Sequence, residues 1–189
     1  NYYLLFIFLI LSIFSVVAAI KYTMGKSPYG YKGLGDIFVF IFFGLISVMG
    51  SSFLYTLKLD FILLPIAISL GLLCVGVLNL NNIRDIENDS KMNKKTIPTR
   101  IGFKNSKIYH YTLMLIPILM TLLWSSNFEI SIRHLFIITA ILPIVFHFYK
   151  VRLAISPEKF KPLLKQLAVS TFIYSILISV FLAYESVLF

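Results

Sequence analysis

Asn81-Asn82-Ile83-Arg84-Asp85-Ile86-Glu87-Asn88-Asp89 closes an apolar run that extends from Phe61 to Leu80. A run of that length reads as a membrane-spanning helix, because about 20 apolar residues cross the hydrocarbon core. Carboxylates at the end of such a helix are costly near lipid and are usually retained for function. Asp85 and Asp89 are four residues apart and share one helix face, with Asn81 one turn earlier and Asn82 beside it. These four hard oxygen donors suit Mg²⁺ holding a phosphate-bearing substrate. Lys91, Lys94, Lys95 and Arg100 follow directly, as partners of an anion would. The competing structural reading is a solvated helix end with capping carboxylates. It is favoured only for Glu87, which lies off the shared face.

The rest of the chain has the same character. Of 189 residues, 59% are hydrophobic, with 18 Phe and 11 Tyr, and the mean hydropathy is +0.90. Soluble domains are nearer 45–50% apolar. Six apolar runs can be marked: Tyr2–Ile20, Ile37–Leu57, Phe61–Leu80, Ile108–Trp124, Leu135–Tyr149 and Leu167–Tyr184. The fold class expected is therefore all-α, a polytopic transmembrane helical bundle. The net charge of +9 does not indicate nucleic acid, because the basic residues are confined to linkers between apolar runs. The lone Cys74 excludes an internal disulfide and reads as a small buried packing residue.

Charge also orients the bundle. Three long linkers hold fifteen of the seventeen Lys and Arg, and the opposite side holds only Lys58 and Arg133. The positive-inside rule places the long linkers in the cytoplasm. Both ends of the chain then face outward. The chain starts inside an apolar run with no charged leader, which reads as an N-terminally truncated chain rather than a signal peptide.

Other marks are assigned to architecture. Thr171, Ser175 and Ser179 form a small-residue stripe for close helix contact. Pro65, Pro117 and Pro143 fall inside apolar runs, where neighbouring helices re-satisfy the freed carbonyls. His110, His134 and His147 show no ligand spacing and read as core or interfacial residues. The linker from Tyr22 to Asp36 holds four Gly and one Pro and is a shaped loop, with Asp36 as N-cap of the next helix. Tyr22 and Lys26 are placed to reach a common anion; the structural alternative is an interfacial Tyr with a positive-inside Lys.

Tyr22-Thr-Met-Gly-Lys-Ser-Pro-Tyr-Gly-Tyr-Lys-Gly-Leu-Gly-Asp36, with Phe38-Val-Phe-Ile-Phe-Phe-Gly44 after it, resembles the central segment of 1,4-dihydroxy-2-naphthoate polyprenyltransferases, within the UbiA superfamily of intramembrane prenyltransferases. Asn81 to Asp89, then Lys94-Lys-Thr96 and Arg100-Ile-Gly102, resembles that family's second aspartate-rich motif and its downstream loop. Pro157 through Lys165 is also similar. Asn93 stands where the family usually has Gly, and Pro98 is unusual in that loop.

The resemblance implies a nine-helix bundle, of which six are present as a single domain over residues 1–189. It places a first aspartate motif upstream of Asn1. It implies transfer of a polyprenyl group from polyprenyl diphosphate to 1,4-dihydroxy-2-naphthoate with decarboxylation, in menaquinone biosynthesis in the bacterial cytoplasmic membrane. On that reading Asp85 and Asp89 hold Mg²⁺, helped by Asn81 or Asn82. Lys94, Arg100, Tyr22 and Lys26 contact diphosphate, and Lys95 is interchangeable with Lys94. Arg84 either holds the aromatic carboxylate or pairs with Asp89. With one aspartate motif, the chain by itself is expected to be inactive. Two rivals are another UbiA-type enzyme, acting on hydroxybenzoate, haem or a chlorophyll precursor, and an ion-coupled transporter. The loop from Tyr22 to Asp36 argues against the first. Carboxylates at a helix end beside a basic loop, rather than at mid-bilayer, argue against the second.

Overall fold

The computed structural model describes residues 2–24 and 29–186. Among these there are only helices, turns and loops. The helices are α1 (Tyr2–Thr23), α2 (Gly35–Thr56, π-helical between Ile41 and Gly50), α3 (Leu64–Arg84), α4 (Ile86–Lys91), α5 (Ile97–Ser125), α6 (His134–Leu153) and α7 (Phe160–Ser186). All but α4 are long and apolar enough to cross a membrane, so the described residues hold six candidate spans, the number of apolar runs. Short 3₁₀ turns at Tyr29–Lys32, Phe61–Leu63 and Pro157–Lys159 lead into α2, α3 and α7.

Helix α3 is the hub, packed against α2, α5 and α7, while α6 and α7 pair with each other. Its apolar residues extend around the helix rather than along one stripe, as expected for a buried helix. It meets α2 at Gly71 and Gly44; a Cβ built on Gly44 would stand 2.6 Å from Gly71 Cα. Only residues without side chains permit that approach. By contrast α1 is peripheral, with none of its apolar window buried among the described residues.

Buried polar groups tie the helices together. Ser69 of α3 donates to the carbonyl of Pro117 on α5 (3.1 Å), and the Thr121 and Tyr174 hydroxyls lie 2.6 Å apart. On α5, His110 Nε2 is 3.1 Å from His147 Nε2 on α6, and both rings are fully buried. These two are core histidines, as the sequence indicates. Lys107 caps α6 by donating to the carbonyls of Ala154 (2.7 Å) and Arg152 (3.3 Å), which its C-terminal turn leaves free. At the other end of the bundle Arg133 and Glu185 stand 3.0 Å apart as an ion pair.

Five expectations change. Helix α5 begins at Ile97, not Ile108, because its polar first turns continue the helix beyond the apolar run, with non-helical φ and ψ at Gly102 marking a kink. Pro65 stands in the first turn of α3, where no backbone N–H is needed. Asp36 is not an N-cap: Leu34 occupies that position and Asp36 lies in the first turn. Of the small-residue stripe Thr171 is buried, whereas Ser175 is half-buried and Ser179 exposed. The hydroxyls of Ser175 and Ser179 bond their own helix, to Phe172 and Ser175, and they line a groove of about 780 Å³ between α2, α3 and α7. Cys74 is half-buried rather than buried.

Candidate functional site

The last turns of α3 carry Asn81, Asn82 and Arg84, and the helix falters at Asp85 before resuming as α4. The register survives the break. The Asp85 amide donates to the Asn81 carbonyl (3.1 Å) and the Asp89 amide to the Asp85 carbonyl (2.8 Å). Asn81, Asp85 and Asp89 therefore follow one another by turns, as their spacing predicts. Asn82 is buried in the bundle, and Glu87 is exposed, as the sequence reading has it.

Each motif carboxylate has a cation. Arg84 donates through Nε to Asp85 Oδ1 (2.8 Å) and through Nη2 to Asp85 Oδ2 (2.6 Å), and Nη2 also reaches Asn81 Oδ1 (2.9 Å). Of the two roles considered for Arg84, the ion pair is present, but with Asp85 rather than Asp89. The neighbouring position on a helix end brings a long side chain back onto the next carboxylate. The fork holds Asp85 below the usual carboxylate range, by hydrogen bonding first and by charge attraction as well, against the opposing pull of partial burial.

Asp89 is buried and accepts from Lys94 Nζ at 3.2 and 3.1 Å. The turn between them explains why Lys94 is the residue that arrives. The Lys94 amide donates to the Asp89 carbonyl and the Asn93 amide to the Ser90 carbonyl, with Asn93 at φ 53°. That is a Schellman stop, in which the residue after the helix is left-handed and the next one folds back. Asn is the non-glycine residue best suited there. Lys94 thus turns onto Asp89, while the Lys95 side chain stays exposed. Thr96 then caps α5 by accepting from the Thr99 amide (3.4 Å), and Pro98 fits the helix's first turn. The two positions that depart from the family pattern both match local geometry.

The first linker is clipped to this end of the bundle. The Lys95 amide donates to the Tyr31 carbonyl (2.9 Å), Arg100 Nη2 donates to the Lys32 carbonyl (2.6 Å), and Lys94 Nζ lies 5.9 Å from the centre of the Tyr31 ring. Gly33 at φ +79° lets the chain pass the Lys95 carbonyl and the Arg100 guanidinium. Arg100 is thus engaged by a backbone carbonyl through one of its nitrogens. Tyr22 packs against Gly30 and Gly35. Lys26 lies outside the described residues.

Two side chains that sequence reasoning left out of the site belong near it. The Tyr109 hydroxyl donates to Asp36 Oδ2 (2.9 Å), joining α5 to the start of α2. Gly35, next to Asp36, packs on Leu78 of α3, where a Cβ would stand 3.3 Å from Leu78 Cδ2 and from the Tyr22 hydroxyl. Leu78, Asn81, Asn82 and Asp85 are spaced as one helix face. Nothing in the sequence joins Asp36 to Tyr109.

Asp85, Asp89 and the Asn81 amide oxygen are hard oxygen donors, and the chemistry of that set fits Mg²⁺. They supply part of a coordination shell: among the described residues no three His, Cys, Asp or Glu side chains converge.

Residues 2–176 match the model of the UbiA prenyltransferase family. The 1,4-dihydroxy-2-naphthoate octaprenyltransferase of Haemophilus influenzae is 40% identical over 176 residues, 93% of this chain and 57% of that protein. The Escherichia coli protein of the same name is 49% identical over 108 residues, 57% of this chain and 35% of that one. Human UbiA prenyltransferase domain-containing protein 1 is 32% identical over 108 residues, 57% of this chain and 32% of its own. The chain thus spans little more than half of the Haemophilus relative. No solved structure matches it significantly.

Proposed function

The chain belongs to the UbiA prenyltransferase family, and from that premise we propose that the protein transfers a polyprenyl group from polyprenyl diphosphate to 1,4-dihydroxy-2-naphthoate with decarboxylation, in menaquinone biosynthesis. The observation that carries this reading is the pair Asp85 and Asp89, one turn apart at the basic end of an apolar bundle, each beside a cation. Relatives named for that activity support the choice of substrates.

The difficult step is departure of the diphosphate, on which negative charge builds. Asp85 and Asp89, with Asn81, are the residues that would hold Mg²⁺, which when bound neutralises that charge. Arg84 and Lys94 bring positive charge to the same place, and Arg100, Tyr22 and Lys26 complete the proposed diphosphate-binding set. Asn82 and Lys95 stay secondary members, the first buried beneath the motif and the second exposed beside it. The apolar helices hold the prenyl tail and keep water from the allylic carbon. The reaction belongs at the cytoplasmic face of a bacterial inner membrane, where the basic linkers lie by the positive-inside rule.

The described residues offer one carboxylate motif. A diphosphate carries several charges, and the proposed mechanism opposes two such motifs, so residues 1–189 by themselves are proposed to be inactive. The test uses the complete protein in membranes with Mg²⁺, polyprenyl diphosphate and carboxyl-labelled 1,4-dihydroxy-2-naphthoate. Prenylated product and labelled CO₂ should form in equal amounts, and Asp85→Asn or Asp89→Asn should abolish both while leaving the protein folded. Turnover close to normal in both variants would remove the metal site from these residues.

A further inference from the structure

Asp36 has no part in that mechanism, yet its placement is specific. Its side chain is half-buried in the first turn of α2 and is held by the Tyr109 hydroxyl at 2.9 Å. Its neighbour Gly35 packs against Leu78 and the Tyr22 ring. Leu78 precedes Asp85 by seven residues on the same face of α3, about 10 Å along the axis at 1.5 Å per residue. The Asp36–Tyr109 pair thus sits next to a residue packed on Leu78, about two turns before Asp85 on α3. Polar side chains placed there must be satisfied by one another or by a ligand.

We propose that Asp36, positioned by Tyr109, binds the aromatic acceptor by accepting a hydrogen bond from a ring hydroxyl. This inference rests on the prenyl-transfer reading above. The 4-hydroxyl and the carboxylate of 1,4-dihydroxy-2-naphthoate stand meta on one ring, so the two groups point to different sides. Placed along this face with that hydroxyl at Asp36, the acid points its carboxylate away from Asp36, as like charges require, and toward Arg84 and Lys94. Its ring then lies below the diphosphate, where the allylic carbon must be met. Tyr109 uses its single proton on Asp36 Oδ2, and in this proposal Oδ1 accepts from the acceptor's hydroxyl. A carboxylate makes a stronger hydrogen bond with a phenol than a neutral amide does.

The experiment measures KM separately for the acceptor and for polyprenyl diphosphate in the complete protein, using the dihydroxy acid and a naphthoate lacking one hydroxyl. Wild type should prefer the dihydroxy acid by about ten- to hundredfold, the value of one charge-assisted hydrogen bond. Asp36→Asn should raise the dihydroxy-acid KM by that factor, leave the diphosphate KM unchanged and erase the preference. A preference that persists in folded Asp36→Asn, or a parallel rise in both KM values, would overturn the inference and leave Asp36 a tie between helices. If Asp36→Asn does not fold, Tyr109→Phe takes its place: a weakened preference supports the inference and an intact one overturns it. Absence of prenyl transfer in wild type, with any aromatic acid, overturns the functional reading itself, a result distinguishable from a failure at Asp36 alone.

Discussion

Arg100 Nη2 donates to the carbonyl of Lys32 across 2.6 Å, a contact between residues 68 positions apart that ties the first linker to the start of α5. The Lys95 amide makes a second tie to the Tyr31 carbonyl. Arg100 therefore has a positioning role in addition to the diphosphate contact proposed for it. Removing its hydrogen bond should cost about 1 kcal/mol, enough to raise opening of the linker about fivefold. Limited proteolysis of Arg100→Ala in detergent should show faster cleavage around Tyr31–Leu34, without ligand present. Cleavage at the wild-type rate would mean that the Lys95–Tyr31 bond alone holds the linker.

The Arg84–Asp85 pair should leave a signature in acid. Asp85 ionises below the usual carboxylate range because Arg84 holds it. A depressed folded pKa means that its contribution to stability is complete above the unfolded value, about 3.9, and is lost as pH falls through the lower folded value. Carboxyl NMR titration should place Asp85 below that of an unpaired Asp, and Arg84→Gln should move it up. The stability lost is small, since the pair is partly exposed and screened by solvent. An Asp85 titration that Arg84→Gln leaves in place would separate the two side chains in solution.

What could be read from the sequence follows from what each feature depends on. Six spans appear as apolar runs because lipid imposes their length and composition. The start of α5 does not, because residues 97–107 are polar and helical for local reasons, with a Thr96 cap and Pro98 in the first turn. Asp85 and Asp89 could be paired by spacing alone. Lys94 and Lys95 could not be told apart, since the choice depends on the left-handed Asn93. Asp36 was legible only as a cap, because its partner Tyr109 lies 73 residues away. Local periodicity carries no information about such a contact.

The orientation of the bundle rests on the distribution of Lys and Arg and is open to direct measurement. Asn105 on the early part of α5 and Asn127 after its end are both exposed. Single cysteines at these positions, in a Cys74→Ser background, should be labelled from opposite sides. The cytoplasmic side should be that of Asn105→Cys. Labelling of Asn127→Cys from the cytoplasmic side alone would invert the bundle and remove the motif from the face where a soluble diphosphate headgroup is supplied.

The buried histidines make a prediction with a direction. Asn79 Nδ2 donates both to the Ser106 carbonyl and to His110 Nδ1, at 3.3 Å each. A nitrogen that accepts carries no proton, so the neutral His110 ring is protonated at Nε2 and donates to His147 Nε2 at 3.1 Å. His147 is therefore an acceptor, and a side chain without one strands a buried N–H. His147→Phe should destabilise the bundle by about 1–3 kcal/mol for that group, beyond any change in packing. Adding His110→Phe removes the stranded donor, so the double variant should be less destabilised than the two single changes combined. The measurement is a double-mutant cycle on the detergent unfolding midpoint. Simple additivity would show that the two rings share no hydrogen bond and meet by packing alone.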